Sequence, residues 1–567
     1  MNLMITAPSP VSVTTNQPTT TNGWDCVSVI RFPDVNAAIV TQKSSPASFS
    51  QSDNDPDLGT LTFGGDFGDW LLSGGDGKLV SIDMPLMNSV FTMNSNTHSF
   101  SKKMVATAEV NMQWVEQGGP SNLIVDPGVT INVSSLDVGD NLESTGKNIS
   151  DTTIGIMKES LQNWMKNNVN LFDHVFASVN IAEQVDTGPL GWLKPTDKFY
   201  AVTSSDSDPD DINKKLFAVL CMTDKNPNPG DHQVSPFAIP DGLRASFLIS
   251  EKIFMDKMIR PGLPLLFAGK STISKSNPTE TWAEPVSPDD FEFSDPTTIT
   301  NKVDMRFITQ QLDDGTKVKP VIAKNHFMLR IQSDGLELDL TDLNFEYSHG
   351  ISVHINHTAP ATLTINANRK FVLNVGNSTT SASVVESTEL LVESIVASIV
   401  ASIILSAVGG MIGGAAAGGA STIAKGGAEA TIDAITVTTT EAAEDAVTNL
   451  TDEAIMDASD EATSSQKAID QGAADLTKWG KFKGFLSRNW PKMLGSTIGG
   501  AIGGATITIP NIIEAMANDH ASVPTIDNLG TEALAPITWP NLDKQKFVIK
   551  EGGINGCLQI GFDITPS

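Results

Sequence analysis

Residues 327–375 read FMLRIQSDGLELDLTDLNFEYSHGISVHINHTAPATLTINANRKFVLNV, and apolar side chains alternate with polar ones through most of this stretch. That two-residue period is typical of β-strands with one buried face. The apolar members form six runs: Phe327/Leu329/Ile331, Leu336/Leu338/Leu340, Leu343/Phe345/Tyr347, Ile351/Val353/Ile355, Leu363/Ile365 and Phe371/Leu373/Val375. Because polar residues separate most of these runs, the stretch predicts an antiparallel β-meander.

More sheet is predicted upstream of the meander. Within residues 58–87, glycine-rich turns separate short apolar runs, as in antiparallel hairpins. Residues 104–114 alternate without interruption, which predicts one long strand. Residues 24–32 form another candidate strand, and Pro33 after it suits the first turn of a short helix.

Two amphipathic helices are also predicted. Asp151 is a suitable N-cap for the first, whose apolar residues recur at three- and four-residue steps: Ile154, Met157, Leu161, Trp164 and Met165. The second follows Ser250 and ends before Pro261; its apolar face carries Ile253, Phe254, Met255, Met258 and Ile259. Of these, Phe254, Met255, Met258 and Ile259 either fill a core or line an apolar groove, because periodicity does not separate the two.

Length and charge limit the classes of function. A chain of 567 residues exceeds what one hydrophobic core usually supports, so several modules are expected. The formal net charge of −29 repels phosphate backbones, so no nucleic-acid partner is expected. Cys26, Cys221 and Cys557 are isolated in sequence, which predicts reduced structural thiols rather than disulfides or a zinc site.

The character of the chain changes at about residue 394. Residues 394–424 and 493–513 contain no charged side chain, whereas residues 425–477 between them contain 12 acidic and 2 basic residues. Both apolar runs exceed the roughly 20 residues that cross a bilayer, but their many glycines disfavour stable helices. Constitutive spanning, conditional insertion and a soluble buried helical hairpin are the alternatives, of which the soluble hairpin is favoured.

A basic and aromatic segment follows the acidic one. Residues 478–492 read KWGKFKGFLSRNWPK and have no acidic side chain. Cations beside amphipathic aromatic rings suit the headgroup layer of a bilayer, so this segment is the predicted lipid- or membrane-binding site. Its site residues are Lys478, Trp479, Lys481, Phe482, Lys483, Phe485, Arg488, Trp490 and Lys492.

Other motifs carry little functional signal. His349, His354 and His357 form a loose cluster, but His354 alternates with apolar neighbours and is expected on a solvated strand face rather than at a metal. Two acidic triplets, at residues 53–57 and 206–210, lack the rest of a calcium loop and predict acidic turns. Residues 269–271 read GKS without a phosphate-loop context, and no nucleophile elbow or zinc-protease motif occurs, so no catalytic residue and no enzymatic activity are expected.

Four passages together resemble the clostridial OrfX and P-forty-seven family of the tubular lipid-binding (TULIP) superfamily. They are NGWDCVSVI (22–30) with DVNAAI (34–39), GDFGDW (65–70) with GGDGK (74–78), IPDG (239–242) with SFLIS (246–250), and ITWP (537–540) with LQIG (558–561). Their order and spread cover nearly the whole chain. The resemblance implies an accessory protein encoded beside bacterial toxins, with lipid binding as its proposed activity and no assigned catalytic residue.

The resemblance and the sequence patterns together predict an α+β fold of elongated TULIP-like modules, in which highly curved antiparallel sheets wrap long helices. We expect a disordered tail (1–22), a first module (23–236), a second module (237–383), a Gly/Ala-rich apolar and acidic helical insertion (384–530), and C-terminal strands (531–567) that complete the second module. The acidic part of the insertion is longer than the family leads us to expect.

The sequence and the resemblance therefore predict a non-enzymatic lipid- or membrane-binding accessory of a bacterial toxin system that holds an amphiphile in an apolar groove. No cofactor is expected apart from a bound lipid, and toxin-cluster proteins are the expected protein partners. Since residues 1–23 show no Sec-type signal peptide, we expect synthesis in the bacterial cytoplasm and release by another route. Two alternatives stay open: a scaffold that shields or delivers a toxin without lipid, and a pore former whose glycine-rich hairpin inserts at low pH.

Overall fold

The computed structural model describes residues 17–56, 58–94, 96–116, 119–129, 131–142, 148–181, 190–203, 211–223, 226–274, 277–307, 310–311, 317–348, 351–365, 371–375, 379–385, 526–542 and 546–565. The chain divides into two compact units. The N-terminal unit comprises Thr14–Ser250, Leu529–Lys550 and Gln559–Ser567. The central unit comprises Met1–Val13, Glu251–Asn528 and Glu551–Leu558.

A six-stranded sheet contains both the first and the last strands of the described chain. Its members are β1 (Cys26–Arg31), β12 (Pro195–Thr203), β13 (Leu216–Thr223), β14 (Ala245–Ile249), β29 (Phe547–Asn555) and β30 (Cys557–Ile564). Their order across the sheet is β12-β13-β1-β14-β30-β29. Nearly every residue of β1, β13 and β14 is buried, so both faces of these central strands are covered.

The helix that follows β1 confirms the prediction at Pro33. Helix α1 (Phe32–Gln42) has this proline in its first turn, where a missing N–H costs no hydrogen bond. Lys43 ends the helix in the left-handed conformation.

A seven-stranded sheet lies within the N-terminal unit. It contains β2 (Ser48–Asp55), β3 (Gly59–Phe67), β4 (Leu71–Asp76), β5 (Leu79–Met93), β6 (Asn96–Phe100), β7 (Met104–Val110) and β10 (Asn132–Asp137). The order is β10-β7-β5-β3-β2, with β4 and β6 paired to the long strand β5. Within residues 58–87 the predicted hairpin is present between β4 and β5, but Gly64 and Gly65 lie within β3, and Gly74 and Gly75 lie within β4, rather than in turns.

This sheet curls, because helix α2 (Asp151–Asn168) contacts both of its edge strands. Gln162 accepts from the Val133 amide of β10 at 3.3 Å. On the opposite edge, Ser160 donates to the Asp53 carboxylate of β2 at 3.0 Å. The predicted apolar stripe faces the sheet through Met157, Leu161, Trp164 and Met165, all buried. The N-cap is Ser150 rather than Asp151, because the Ser150 hydroxyl accepts from the Thr153 amide at 3.2 Å.

A four-stranded sheet corrects the prediction of one long strand at residues 104–114. Its members are β8 (Met112–Glu116), β9 (Ser121–Val125), β11 (Ala177–Val179) and β28 (Ile537–Thr538), in the order β28-β11-β9-β8. The chain leaves the seven-stranded sheet at Asn111, whose carbonyl accepts from the Asp126 amide at 2.8 Å. The Met112 amide donates to the Tyr200 hydroxyl at 2.8 Å, and that hydroxyl donates to the Lys78 carbonyl. Because of these tertiary hydrogen bonds, a stretch in which apolar and polar residues alternate without interruption contributes strands to two different sheets.

The central unit contains an eleven-stranded antiparallel sheet that confirms the meander. Four of its strands are β23 (Phe327–Ile331), β24 (Leu336–Ser348), β25 (Ile351–Ile365) and β26 (Phe371–Val375). The others are β15 (Phe267–Ser274), β16 (Asn277–Glu284), β17 (Phe291–Asp295), β18 (Thr298–Asn301), β19 (Met305–Phe307), β22 (Val321–Ile322) and β27 (Thr379–Val385). Strands β20 (Gln310–Gln311) and β21 (Lys317–Val318) form a separate pair.

The second predicted helix is not a regular α-helix. One α-helical turn (Glu251–Ile253) continues as a π-helical segment (Phe254–Ile259) and then a 3₁₀ segment (Arg260–Leu266). Pro261 and Pro264 lie in the last segment and remove two amide donors, so α-helical hydrogen bonding cannot continue. The remaining helical elements are short 3₁₀ turns (Val169–Leu171, Gly191–Leu193, Ile212–Lys214, Pro288–Asp290) and the α-helix Ile526–Leu534.

The structure divides the chain differently from the predicted modules. The boundary between the two units lies at residues 250–251 rather than 236–237. Most of residues 531–567 belong to the N-terminal unit instead of completing the second module, because β28 pairs with β11 and β30 lies beside β14. Most of the predicted tail (residues 1–16) and nearly all of the predicted Gly/Ala-rich insertion (residues 386–525) lie outside the described residues.

Trp164 should contribute most to holding α2 in the curled sheet. It is 5% exposed, and its ring lies 5.2 Å from Phe67 and 6.3 Å from Phe49. We expect Trp164→Ala to destabilise the N-terminal unit by about 3–5 kcal/mol, the usual cost of truncating a buried aromatic. Chemical denaturation followed by circular dichroism measures this loss. Lys166→Ala, at an exposed position of the same helix, is the control, and equal midpoints for both variants would contradict the assignment.

Candidate functional site

The predicted membrane-binding segment, residues 478–492, lies outside the described residues, as do the apolar runs 394–424 and 493–513 and the acidic stretch between them. Lys478, Trp479 and the other seven site residues in this segment therefore remain a prediction. Within the described part of the chain, no helix is both long and apolar enough to cross a membrane.

The groove-lining candidates are all deeply buried in the central unit. Phe254, Met255 and Ile259 are 0% exposed, and Met258 is 2% exposed. The side chain of a residue that lines an open groove would be in contact with water in the absence of a ligand. In this conformation the four side chains instead contact protein on all sides, which is the geometry of a filled core.

The four passages that carry the family resemblance meet in the N-terminal unit. Strand β1, from the first passage, pairs along its length with β14, from the third. Strand β14 in turn lies beside β30, from the fourth. The two parts of the second passage flank the start of β4, which contacts α1 through a paired hydrogen bond: Asn36 donates to the Leu72 carbonyl at 3.0 Å and accepts from the Leu72 amide at 2.8 Å. We call this meeting point of the four passages the terminal junction.

An ion pair lies at the centre of the terminal junction. Arg244, just before β14, donates to the carboxylate of Asp34 in the first turn of α1 and, at 2.6 Å, to the Ile564 carbonyl at the end of β30. The Asp34 side chain is 4% exposed and that of Arg244 is 40% exposed. Burial raises the pKa of Asp34, and the hydrogen bond from Arg244 opposes that rise. One guanidinium therefore joins the first helix to the last strand.

Two more polar side chains complete the junction. Asp25 accepts from the Thr223 amide at 2.8 Å and from Asn226 at 3.2 Å, which satisfies a carboxylate that is 3% exposed. Gln559 in β30 is fully buried and donates to the Phe237 and Ala238 carbonyls at 3.1 and 2.9 Å. Sequence reasoning missed Arg244 and Gln559 as junction residues. The only local signal for Gln559 was a lone polar residue within an apolar run.

The junction side chains bond to backbone groups or to one another, so their arrangement positions strands rather than presenting a reactive group. Each of the three cysteines is free and buried, which confirms the prediction of reduced thiols. Burial raises the pKa of the Cys221 thiol to about 12, so this thiol stays protonated and unreactive.

The histidine cluster does not assemble. His349 lies outside the described residues. The Nδ1 of His354 is 2.5 Å from the Asp342 carboxylate, beside a β-bulge between β24 and β25. His357 on the same strand is 4% exposed, and burial lowers its pKa to about 4. No group of three or more His, Cys, Asp or Glu side chains among the described residues could hold a metal ion.

The remaining motifs are structural where they are described. Asp55 accepts from the Leu58 amide at 2.8 Å, as an acidic turn requires, whereas Asp57 and residues 206–210 lie outside the described residues. Gly269, Lys270 and Ser271 lie within β15, and the Lys270 ammonium is 2.8 Å from the Asp290 carboxylate. These residues are part of a strand and the lysine is paired with a carboxylate, so they do not form a phosphate loop, which confirms the rejection of that motif.

These observations define a protein of curled antiparallel sheets in which the first helix and the last strand are joined through the side chain of Arg244. The family model described as OrfX-like, Protein OrfX2/OrfX3/P47, matches residues 21–489. The chain belongs to this family, and the resemblance found in the four passages is confirmed.

Two relatives are similar over part of their length. Protein OrfX3 of Paraclostridium bifermentans is 28% identical over 277 residues, which cover 44% of this chain and 55% of the relative. Protein OrfX3 of Clostridium botulinum (strain Kyoto / Type A2) is 27% identical over 281 residues, with the same shares covered. The matches thus span about half the length of these relatives, and neither relative bears an enzyme's name.

Solved structures of P47 were also matched. P47 from Clostridium botulinum A2 is 16% identical with a TM-score of 0.46, and the match covers 70% of this chain and 89% of P47. P47 of Clostridium botulinum E1 is 17% identical with the same TM-score, and the match covers 70% of this chain and 90% of P47.

Replacing Arg244 should lower the free energy of unfolding more than replacing Asp34, although both changes break the same ion pair. Arg244→Met leaves the Asp34 carboxylate buried without its cation, and we expect a loss of about 2–3 kcal/mol, less than for a fully buried pair because Arg244 is partly exposed. Asp34→Asn leaves a partly hydrated guanidinium and should cost roughly 1 kcal/mol. Denaturant unfolding of both single variants and the double variant measures the coupling, and additive losses would show that the pair does not act as a unit.

Proposed function

We propose that this protein is a non-enzymatic accessory of a bacterial toxin system that binds a lipid or membrane surface. Membership in the OrfX/P47 family supports the toxin-cluster part of the proposal. The observation that carries the membrane part is residues 478–492, which hold five cations and four aromatic rings in a chain of net charge −29. A local reversal of the protein's field attracts anionic headgroups, and the rings supply apolar area at the interface.

The site of contact with lipid is the surface rather than an open interior. Burial of Phe254, Met255, Met258 and Ile259 supports this choice, because a groove at these residues would first have to displace packed side chains. The aromatic residues around α2 are equally covered; Phe49, Phe67, Trp70 and Trp164 are all buried. An amphiphile held inside either unit would require that unit to open.

A second candidate function is supported by the same burial. A protein with filled cores can shield or deliver a toxin by protein contacts alone, without any lipid. Native mass spectrometry of the purified protein separates an interior lipid carrier, which retains acyl chains, from a protein that binds a membrane or a toxin only at its surface.

A third proposal is that residues 394–424 and 493–513 insert into a bilayer when acidic side chains take up protons. Dye release from vesicles at about pH 5 and about pH 7.5 tests this proposal.

The membrane proposal predicts a specific loss of vesicle binding. The test variant replaces Lys478, Lys481, Lys483, Arg488 and Lys492 by glutamine. Each cation near an anionic surface contributes about 1 kcal/mol, so flotation with vesicles of phosphatidylcholine and phosphatidylserine should show at least a roughly tenfold weaker binding.

The matched control has the same change in net charge. It replaces Lys43, Lys102, Lys103, Lys214 and Lys324, all exposed in the structure, by glutamine. General repulsion between protein and vesicle is then equal in both variants. The proposal predicts normal flotation of the control; equal loss in both variants, or no flotation of the wild type, would refute the membrane role.

A further inference from the structure

A buried histidine connects three segments of the N-terminal unit. His174 lies between α2 and β11 and is 1% exposed. Its Nδ1 is 2.9 Å from the hydroxyl of Ser44, in the loop that follows α1. The next residue in that loop, Ser45, accepts from the Trp70 amide at 2.8 Å. The loop after α1 is thus bonded both to the segment after α2 and to the residue that precedes β4.

The surroundings of His174 are aromatic. The Phe172 ring is stacked at 6.0 Å and the Phe176 ring meets the imidazole edge-on at 4.8 Å. Trp70 lies 5.0 Å from Phe172, and Phe217 of β13 is stacked on Phe176 at 5.9 Å. All four of these side chains are buried.

No charged side chain compensates a proton on this imidazole within the described structure. On the loop after α1 the ionisable residue is Lys43, before Trp70 it is Asp69, and between Phe172 and His174 it is Asp173; all three are exposed. Lys166, near the end of α2, is also exposed, and Lys215, just before β13, donates to the Ser73 carbonyl. Strands β9, β11 and β28 carry no ionisable residue. Burial is the sole cause that lowers the pKa of His174, to about 4.

The hydrogen bonds available to His174 suit only its neutral form. Nδ1 has Ser44 as its partner, and Nε2 has no hydrogen-bond partner in the described part of the chain. A neutral imidazole tolerates one unpaired nitrogen, whereas an imidazolium is a cation with two N–H donors and here has a single neutral acceptor. A buried cation without a counter-charge is strongly disfavoured, and opening to water relieves it.

We propose that the Ser44–His174 contact is an acid-sensitive switch, in which proton uptake by His174 separates residues 169–176 from the loop after α1. The proton comes from the solvent and adds to whichever ring nitrogen carries no hydrogen in the neutral imidazole. Opening exposes the apolar faces of Phe172, Phe176 and Trp70. The effect continues into β11, which directly follows Phe176 and pairs with β9 and with β28 from the C-terminal part of the unit.

The direction of the pH effect follows from linkage. Above about pH 6.5 the histidine is neutral in both the closed and the opened forms, so the contact is at full strength. Between about 6.5 and 4 only the opened form binds the proton, so the closed form loses stability as the pH falls. The switch is independent of any lipid ligand and therefore of the proposed function.

His174→Gln tests the switch, because glutamine keeps a polar partner for Ser44 but takes up no proton. The full chain is titrated from neutral to acid pH while tryptophan emission and binding of an apolar dye are recorded. Hydrogen exchange of residues 169–179, corrected for intrinsic rates, gives the local readout. The control is His98→Gln on β6, which lies in the same unit and far from these contacts in sequence.

We expect acid to open residues 169–179 of the wild type and of His98→Gln. The midpoint pH of this opening should be lower in His174→Gln than in the wild type by at least about half a pH unit. Coincident transitions for all three proteins would overturn the proposal. If His174→Gln does not fold at neutral pH, the pH dependence of the His174 ring proton resonance in the NMR spectrum of the wild type tests the proposal instead. A histidine that titrates near its usual pH while residues 169–179 stay protected would equally overturn it.

Discussion

The N-terminal unit depends on a requirement of buried backbone: every amide and carbonyl of a strand covered on both faces must find a partner. Strand β1 lies between β13 and β14, and the backbone amides and carbonyls on its two edges pair with these strands. The next position beside β14 is occupied by β30, from the end of the chain. The sheet therefore forms only when segments more than five hundred residues apart come together, and the sequence motifs of the family lie where this happens.

Polar side chains inside that sheet have a structural meaning. Asp25, Arg244 and Gln559 bond to backbone groups at the ends and connections of the strands, where sheet hydrogen bonds end, and Asp34 accepts a hydrogen bond from Arg244. Buried charges are costly unless they are paired, so such residues select one arrangement of strands over others. Three of these residues, Asp25, Asp34 and Gln559, lie within the passages that carry the family resemblance.

The contrast between the described units and residues 478–492 bears on function. Both units have cores of buried apolar side chains, among them the apolar residues of the helical segment Phe254–Ile259 and the aromatic residues around α2. The cationic and aromatic composition of residues 478–492 differs from the rest of this acidic chain, and it concentrates in fifteen residues the features that bilayer interfaces select.

The sequence by itself determined whatever depends on neighbours a few residues apart. Alternation defined the meander strands β23 to β26, and three- and four-residue steps defined α2 with its buried Trp164. Tertiary structure decided the rest. The break at Asn111 depends on bonds from Asp126 and Tyr200, and the assignment of β30 to the N-terminal unit depends on β14. Periodicity places a side chain on one face of its own element, but whether that face meets a filled core or a groove is set by segments distant in sequence, as at Met258.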